Sequence, residues 1–252
     1  MEDVENLPPE RRRDRIKALA KRAVTVPLSV RTGDLPKRAA SALVMLVVAG
    51  GALWAGGLWR DALFVIVGLV CFAEFTRLVF RASARPLVRV LGLVAGGCYI
   101  GYAGWLLVQI DTMAILLLLF GAVICVDTFA YFFGRTLGGP KIAPRISPSK
   151  TWAGLLGGAV GATIALIVYF VFGGADIGVE WWMLFLAGCG IAVVAQAGDF
   201  FESWLKRRAH MKDSSNLIPG HGGVFDRIDG LLPVAILVGT VLIAEYPHWL
   251  DR

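Results

Sequence analysis

The chain has 252 residues, of which 57% are hydrophobic and 17% charged, and its mean hydropathy is +0.68. That balance excludes an ordinary soluble domain and places the chain among integral membrane proteins. A net charge of +6 would suit nucleic acid, but the basic residues follow the pattern that orients membrane helices, so no nucleic-acid partner is expected.

Residues 1–38 form a basic tail, "MEDVENLPPERRRDRIKALAKRA" and onward. It lacks both the apolar core and cleavage site of a signal peptide and the second-position glycine of a lipid anchor, so it is expected to be retained. Ile16, Leu19, Ala20 and Ala23 fall at helical spacing among arginines and lysines. This fits a helix lying on an anionic membrane surface, and it fits equally a disordered tail that only sets topology.

Residues 39–252 read as one membrane-embedded domain. A helix needs about 20 apolar residues to cross the hydrocarbon. Stretches near 39–59, 61–80, 88–108, 113–133, 151–172, 181–198 and 230–249 qualify or nearly so, which predicts an all-α polytopic membrane bundle of about seven transmembrane helices. The connections "WRDA" and "QIDT" are short enough to make antiparallel pairs of spans one and two and of spans three and four. All of the 25 basic residues except Arg60 and Arg252 fall in the tail or in the loops 77–89, 134–150 and 199–229. The positive-inside rule then predicts a cytoplasmic N-terminus, with these loops on the same face. Cys71, Cys98, Cys125 and Cys189 each stand alone in an apolar run, which suits packing rather than disulfides or zinc.

Three segments put polar residues where a bilayer makes them costly. In "CVDTFAYFFGR", Asp127 sits inside span four, and an ionisable group at that depth marks a functional site unless it only pairs within the bundle. Glu74, with Arg77 one turn on, reads as a structural ion pair. In "RISPSKTWAGLLGGAVG", Ser147 before Pro148 reads as a helix cap with proline at the first position. The free N–H groups there, with Lys150 beside them, would suit a phosphate. Gly154, Gly157, Gly158 and Gly161 line one face of that helix and predict close helix packing.

The third segment runs from Gln196 through "IPGHGGVFDRIDG". Asp199 and Ser203 share a helical face with Glu202 and Lys206 nearby, and Asp226 and Asp229 stand three apart at the mouth of the last span. Oxygen ligands of this kind suit Mg²⁺, which takes one or two carboxylates plus substrate phosphates and water. A charged helix followed by a plain turn is the competing reading. His221, between glycines, suits a phosphate or a metal ligand's partner, whereas His210 and His248 read as surface and interfacial residues.

The run "SWLKRRAHMKDSSNLIPGHGGVFDRID", Ser203 to Asp229, closely resembles the signature of the phosphatidate cytidylyltransferases, also called CDP-diacylglycerol synthases. "DTFAYFFGR" and "ISPSKTW" resemble that family's upstream motifs in the expected order, so the catalytic part is expected at about 113–252. One departure is Ala153, where the family commonly has an acid after the tryptophan. The resemblance implies transfer of CMP from CTP to phosphatidate at the cytoplasmic face of the cell membrane, releasing pyrophosphate for phospholipid synthesis, and pairing as a homodimer in the lipid bilayer. It implies Mg²⁺ on Asp199 and Asp226, with Asp229, Asp213 and Asp127 in support. Phosphates would lie on Lys150, Lys206, Arg207 and Arg227. Ser147, Ser149, Thr151, Ser203 and Lys212 would contact substrate, with the Gly220, His221, Gly222 and Gly223 backbone against the triphosphate. The rivals are a CTP-dependent polyprenol or phytol kinase and, in another class, a solute or ion transporter. A transporter would spread its acids across the membrane depth, whereas here they cluster toward one face.

Overall fold

The computed structural model describes residues 35–172 and 180–245. The surface helix considered at 16–23 and residues 246–249 of the last expected span lie outside them. Among the described residues the chain forms α1 (Leu35–Ala55), α2 (Gly57–Ala82), α3 (Pro86–Gln109) and α4 (Met113–Thr136). A hairpin of β1 (Lys141–Ala143) and β2 (Ser147–Thr151) follows, then α5 (Trp152–Phe172), α6 (Trp181–Arg208), the one-turn α7 (Phe225–Ile228) and α8 (Leu231–Glu245).

The all-α membrane bundle is as expected, and among the described residues six helices are long and apolar enough to cross a bilayer. Their outward faces carry Leu46, Leu69, Leu91, Ile124, Leu156 and Leu186, all exposed, as lipid contact requires. The seventh expected span is shorter in its described part. The 15 residues of α8 reach about 22 Å at 1.5 Å per residue, against a hydrocarbon layer of roughly 30 Å. By the same measure the 28 residues of α6 reach about 42 Å, more than the hydrocarbon layer requires.

Two boundaries differ from the sequence reading. Spans one and two separate at Gly56 and Gly57, with φ of 64° and 47°, rather than at "WRDA". That backbone region is open to glycine and strained for other residues, so the chain turns there and Trp59 and Arg60 join α2. Arg60, nearly buried, then bonds Asp61 and Asp111 at 2.7 Å each and the Ile110 carbonyl at 3.0 Å, pinning the α3–α4 connection to the start of α2. The second correction concerns Ser147, which does not cap a helix. Ser147 to Thr151 pair antiparallel with Lys141 to Ala143, and the helix starts at Trp152, where Thr151 Oγ1 accepts the Gly154 N–H at 3.0 Å. Strand pairing takes up the backbone around Pro148, which moves the cap four residues on.

The glycine face of α5 packs directly on α4. A Cβ at Gly157 would lie 2.5 Å from Phe133 Cβ, and one at Gly161 2.5 Å from the Cys125 carbonyl oxygen, so only glycine permits this approach. Leu116, Leu119 and Val126 of α4 meet Ala162, Ile191, Ala195 and Val234 in one core. Cys71, Phe75 and Leu78 of α2 meet Ile100, Ala103, Leu205 and Phe225 in a second. Leu205 and Ala209, at the end of α6, belong to the second core, with Met211 packed against it.

Candidate active site

The polar residues converge at the end of the bundle formed by the β-hairpin, the C-terminal half of α6, the loop 209–224 and α7. On α6 the helical period aligns Gln196, Asp199, Glu202 and Lys206 along one stripe. Lys150, from β2, forms an ion pair with Asp199. Asp229, just past α7, comes within hydrogen-bonding reach of the Asp199 carboxylate and accepts the Gly230 N–H at 2.9 Å. Beside them opens a cavity of about 340 Å³ lined by Asp127, Tyr131, Arg135, Lys141, Ser149, Lys150, Thr151 and Gln196.

Charge in this group is unbalanced. Removal from water, and then the Asp199 charge, push the Asp229 carboxyl well above the usual carboxylate range. Burial alone would lower the Lys150 pKa, but the charge and hydrogen bond of Asp199, followed by Asp127 and Asp229, outweigh it and raise it. Lys150 is therefore a firmly held cation among three carboxyls. Two carboxyls in contact require a proton or a cation between them. The Oε1 atoms of Gln196 and Glu202, on the same stripe, are buried without a hydrogen-bond partner.

A second network lies one to two turns farther along α6. Lys206 bridges Glu202 at 2.5 Å and Asp226 at 2.7 Å. Asp226 also accepts the Ser214 N–H and hydroxyl at 2.9 Å each and the Gly223 N–H at 2.8 Å. Burial would raise the Asp226 carboxyl, but hydrogen bonding with Glu202, then Lys206, then the Gly223 and Ser214 amides outweighs it and holds the group below the usual range. The glycine run makes this compactness possible. Gly222 has φ +82°, and a Cβ there would lie 2.8 Å from Asp226 Oδ2. The Ile218 N–H donates to the Gly222 carbonyl and the His221 N–H to the Ile218 carbonyl. His221 Nδ1 lies 2.8 Å from Ser41 Oγ, which donates to the Pro219 carbonyl, so the start of α1 touches this turn.

The structure thus brings together Asp127, Lys150, Thr151, Asp199 and Asp229, and separately Lys206, Gly223 and Asp226. Ser147 and Ser149 lie on β2 with hydroxyls 3.5 Å apart. Ser203 is half-buried, while Arg207, Lys212, Asp213, Gly220 and Arg227 are exposed. Among the described residues no group of three or more His, Cys, Asp or Glu side chains is arranged to hold a metal ion. The adjacent Asp199 and Asp229 carboxyls are the pair whose contact requires a proton or a cation, whereas Asp226 has its oxygens taken by Lys206, Ser214 and Gly223. Glu74 overturns its expected pairing with Arg77. It accepts the hydroxyls of Ser214 and Ser215 and the N–H groups of Val224 and Phe225. Ser214 and the depth of Glu202 also escaped the sequence reading. A glutamate one helix turn from an arginine gives no local sign of partners 140 residues away.

This arrangement, acids and lysines at the end of an apolar helix closed by a glycine turn, has sequence relatives. The signature of the Cytidylyltransferase family matches residues 90–244. The chain belongs to the cytidylyltransferase family. The matched span takes in Asp127, the β-hairpin, α5, α6 and the glycine loop, so both charge networks lie inside the family region. Among curated relatives, a phosphatidate cytidylyltransferase of Brucella abortus biovar 1 (strain 9-941) is 32% identical over 251 residues, covering 81% of this chain and 92% of its own. One from Rickettsia felis is 34% identical over 189 residues, covering 71% and 81%. One from Rickettsia bellii is 33% identical over 202 residues, covering 77% and 76%.

Proposed function

We infer that this cytidylyltransferase transfers CMP from CTP to phosphatidate, giving CDP-diacylglycerol and pyrophosphate. A phosphate oxygen of the lipid forms a bond to the α-phosphorus of CTP, and the bond from that phosphorus to the bridging oxygen of the β-phosphate breaks. Lys150 beside Asp199, Asp229 and Asp127 at the polar cavity carries this reading, together with the family. Both substrates are anions, so the barrier is largely electrostatic and a positioned cation cluster is the main requirement. Lys150 at the cavity wall and the exposed Arg207 and Arg227 are suited to hold phosphate oxygens, whereas Lys206 is held by Glu202 and Asp226. Phosphatidate already presents an oxyanion, so no residue has to take a proton from it.

Mg²⁺ belongs to the proposal. The Asp199 and Asp229 carboxyls fit it, because their contact holds a proton whose place a cation could take, and Mg²⁺ commonly takes one or two carboxylates with substrate phosphates completing its shell. Bound there it would offset triphosphate charge and polarise the phosphoryl oxygens. Asp226 then serves mainly to fix Lys206 and the glycine turn. Placement of the site at the cytoplasmic face of the cell membrane follows from the basic loops, and pairing of two copies is part of the same reading.

Purified protein supplied with phosphatidate, CTP and Mg²⁺ is expected to release CDP-diacylglycerol and pyrophosphate in equal amounts. Formation of CDP with a phosphorylated lipid would assign a kinase instead, and no turnover of CTP would remove the proposal.

A further inference from the structure

We propose that Glu74, on α2 and outside the matched region, is a positioning residue for the cytidylyl transfer: it clamps the Ser214–Phe225 loop so that Asp226, Lys206 and Asp229 are held in register. The inference rests on the functional reading above, but its geometry does not.

Glu74 is 6% exposed, and four donors of one loop close on its carboxylate. Oε1 accepts Ser215 Oγ at 2.5 Å and the Val224 N–H at 3.1 Å. Oε2 accepts the Phe225 N–H at 2.7 Å and lies 3.0 Å from Ser214 Oγ. A carboxylate offers about four lone-pair positions, all acceptors, so this group is matched to what it receives. The approach is close enough that a Cβ at Gly223 would stand 2.6 Å from Glu74 Oε2. The adjacent residue on α2 adds a second hold, since the Phe75 ring meets Phe225 edge-on at 5.9 Å.

The clamp connects to the reacting region through two routes. Ser214 stands between the two carboxylates, its hydroxyl 3.0 Å from Glu74 and 2.9 Å from Asp226, while its N–H stays on Asp226. The hydroxyl has one proton and donates it to one acid at a time, so the position of each acid constrains the other. Phe225 begins the single turn of α7 that carries Asp226 and ends just before Asp229, the neighbour of Asp199. Moving the two clamped amides therefore moves both acids relative to α6. Displacements of about 1 Å from groups remote from the chemistry can cost on the order of 10² in rate.

Glu74→Gln keeps the volume but offers one acceptor oxygen, and its NH₂ faces N–H and O–H donors that are left unpaired. The experiment compares the parent, Glu74→Gln and Ser215→Ala, using kcat and KM for CTP and phosphatidate alongside amide exchange of peptides from 214–225 and, as a control, from α4 and α5. In Glu74→Gln, loop exchange should rise by at least about tenfold with the control unchanged, and kcat should fall about 10- to 100-fold with both KM values within about threefold. Ser215→Ala, which removes one donor, should shift both readouts in the same direction by roughly two- to fivefold. Unchanged loop exchange in Glu74→Gln, or faster exchange with parental kcat per folded molecule, would overturn the proposal. If Glu74→Gln does not accumulate, Ser215→Ala with parental exchange and kcat overturns it. A parent that makes no CDP-diacylglycerol rejects the functional reading, while the exchange data still decide the clamp.

Discussion

The two charged networks at this end of the bundle use similar residues to opposite effect. Lys150 and Asp199 keep side-chain exposures of 26% and 18% beside an open cavity, with Asp229 and Asp127 close by and one ammonium among three carboxyls. Glu202 and Asp226 are 3% and 4% exposed, and the Asp226 oxygens are met by a lysine, a hydroxyl and two peptide N–H groups. The donors that fill Asp226 hold its loop rigid, although Glu202 Oε1 stays buried without a hydrogen-bond partner. The Lys150 group lies open to the cavity and retains affinity for an added cation or for phosphate, so it is the one suited to ligands and the Asp226 group to geometry.

The sharpest way to break this comparison is Asp226→Asn, for which both activity and stability should suffer. Removing the buried charge that pairs with half-buried Lys206 is expected to cost about 2–4 kcal/mol, seen as a lower Tm, and turnover should fall by at least about 10² because the loop and Lys206 lose their anchor. Normal Tm with lost activity would move Asp226 into the open group. Asp199→Asn should lower kcat by about 10²–10³ while leaving Tm within a few degrees, and higher Mg²⁺ should recover part of the loss if metal affinity is what changed. Lys150→Ala should cost about 10² in kcat/KM, measured on protein whose Tm confirms folding; unchanged kinetics would remove Lys150 from phosphate binding. The smallest effect on catalysis is expected at Arg60→Met. Its aspartate partners are 35% and 39% exposed, so solvent screens the loss to about 1–2 kcal/mol, and activity per folded molecule should equal the parent's.

Much of the fold was legible because a bilayer imposes a length and polarity code on each helix separately. The long apolar runs became helices, and the glycine spacing of α5 became the α4 interface. The last expected span is shorter within the described residues. The candidate site was legible as a set of residues, since acids and lysines beside apolar helices are costly without a role. Their grouping was not. Asp199, Asp226 and Asp229 read alike in the sequence, yet one meets Lys150, one is enclosed by Ser214, Gly223 and Lys206, and one leans on another acid. Ser147 and Pro148 carry a sound local helix-start signal, and pairing with Lys141 to Ala143 overrode it.

By itself the sequence determined that this is a multi-helix membrane protein, and its Ser203–Asp229 run carried the family. Those properties depend on composition and on spacing along one strand of chain, where hydrophobic periodicity and motif intervals are directly visible. Only the tertiary structure decided that Glu74 closes the glycine loop, that Thr151 rather than Ser147 starts α5, and that Lys150 meets Asp199. Each of these joins groups from separate elements, and a buried carboxylate takes whichever donors packing brings to it, so its partners are set by the fold and not by its neighbours in sequence.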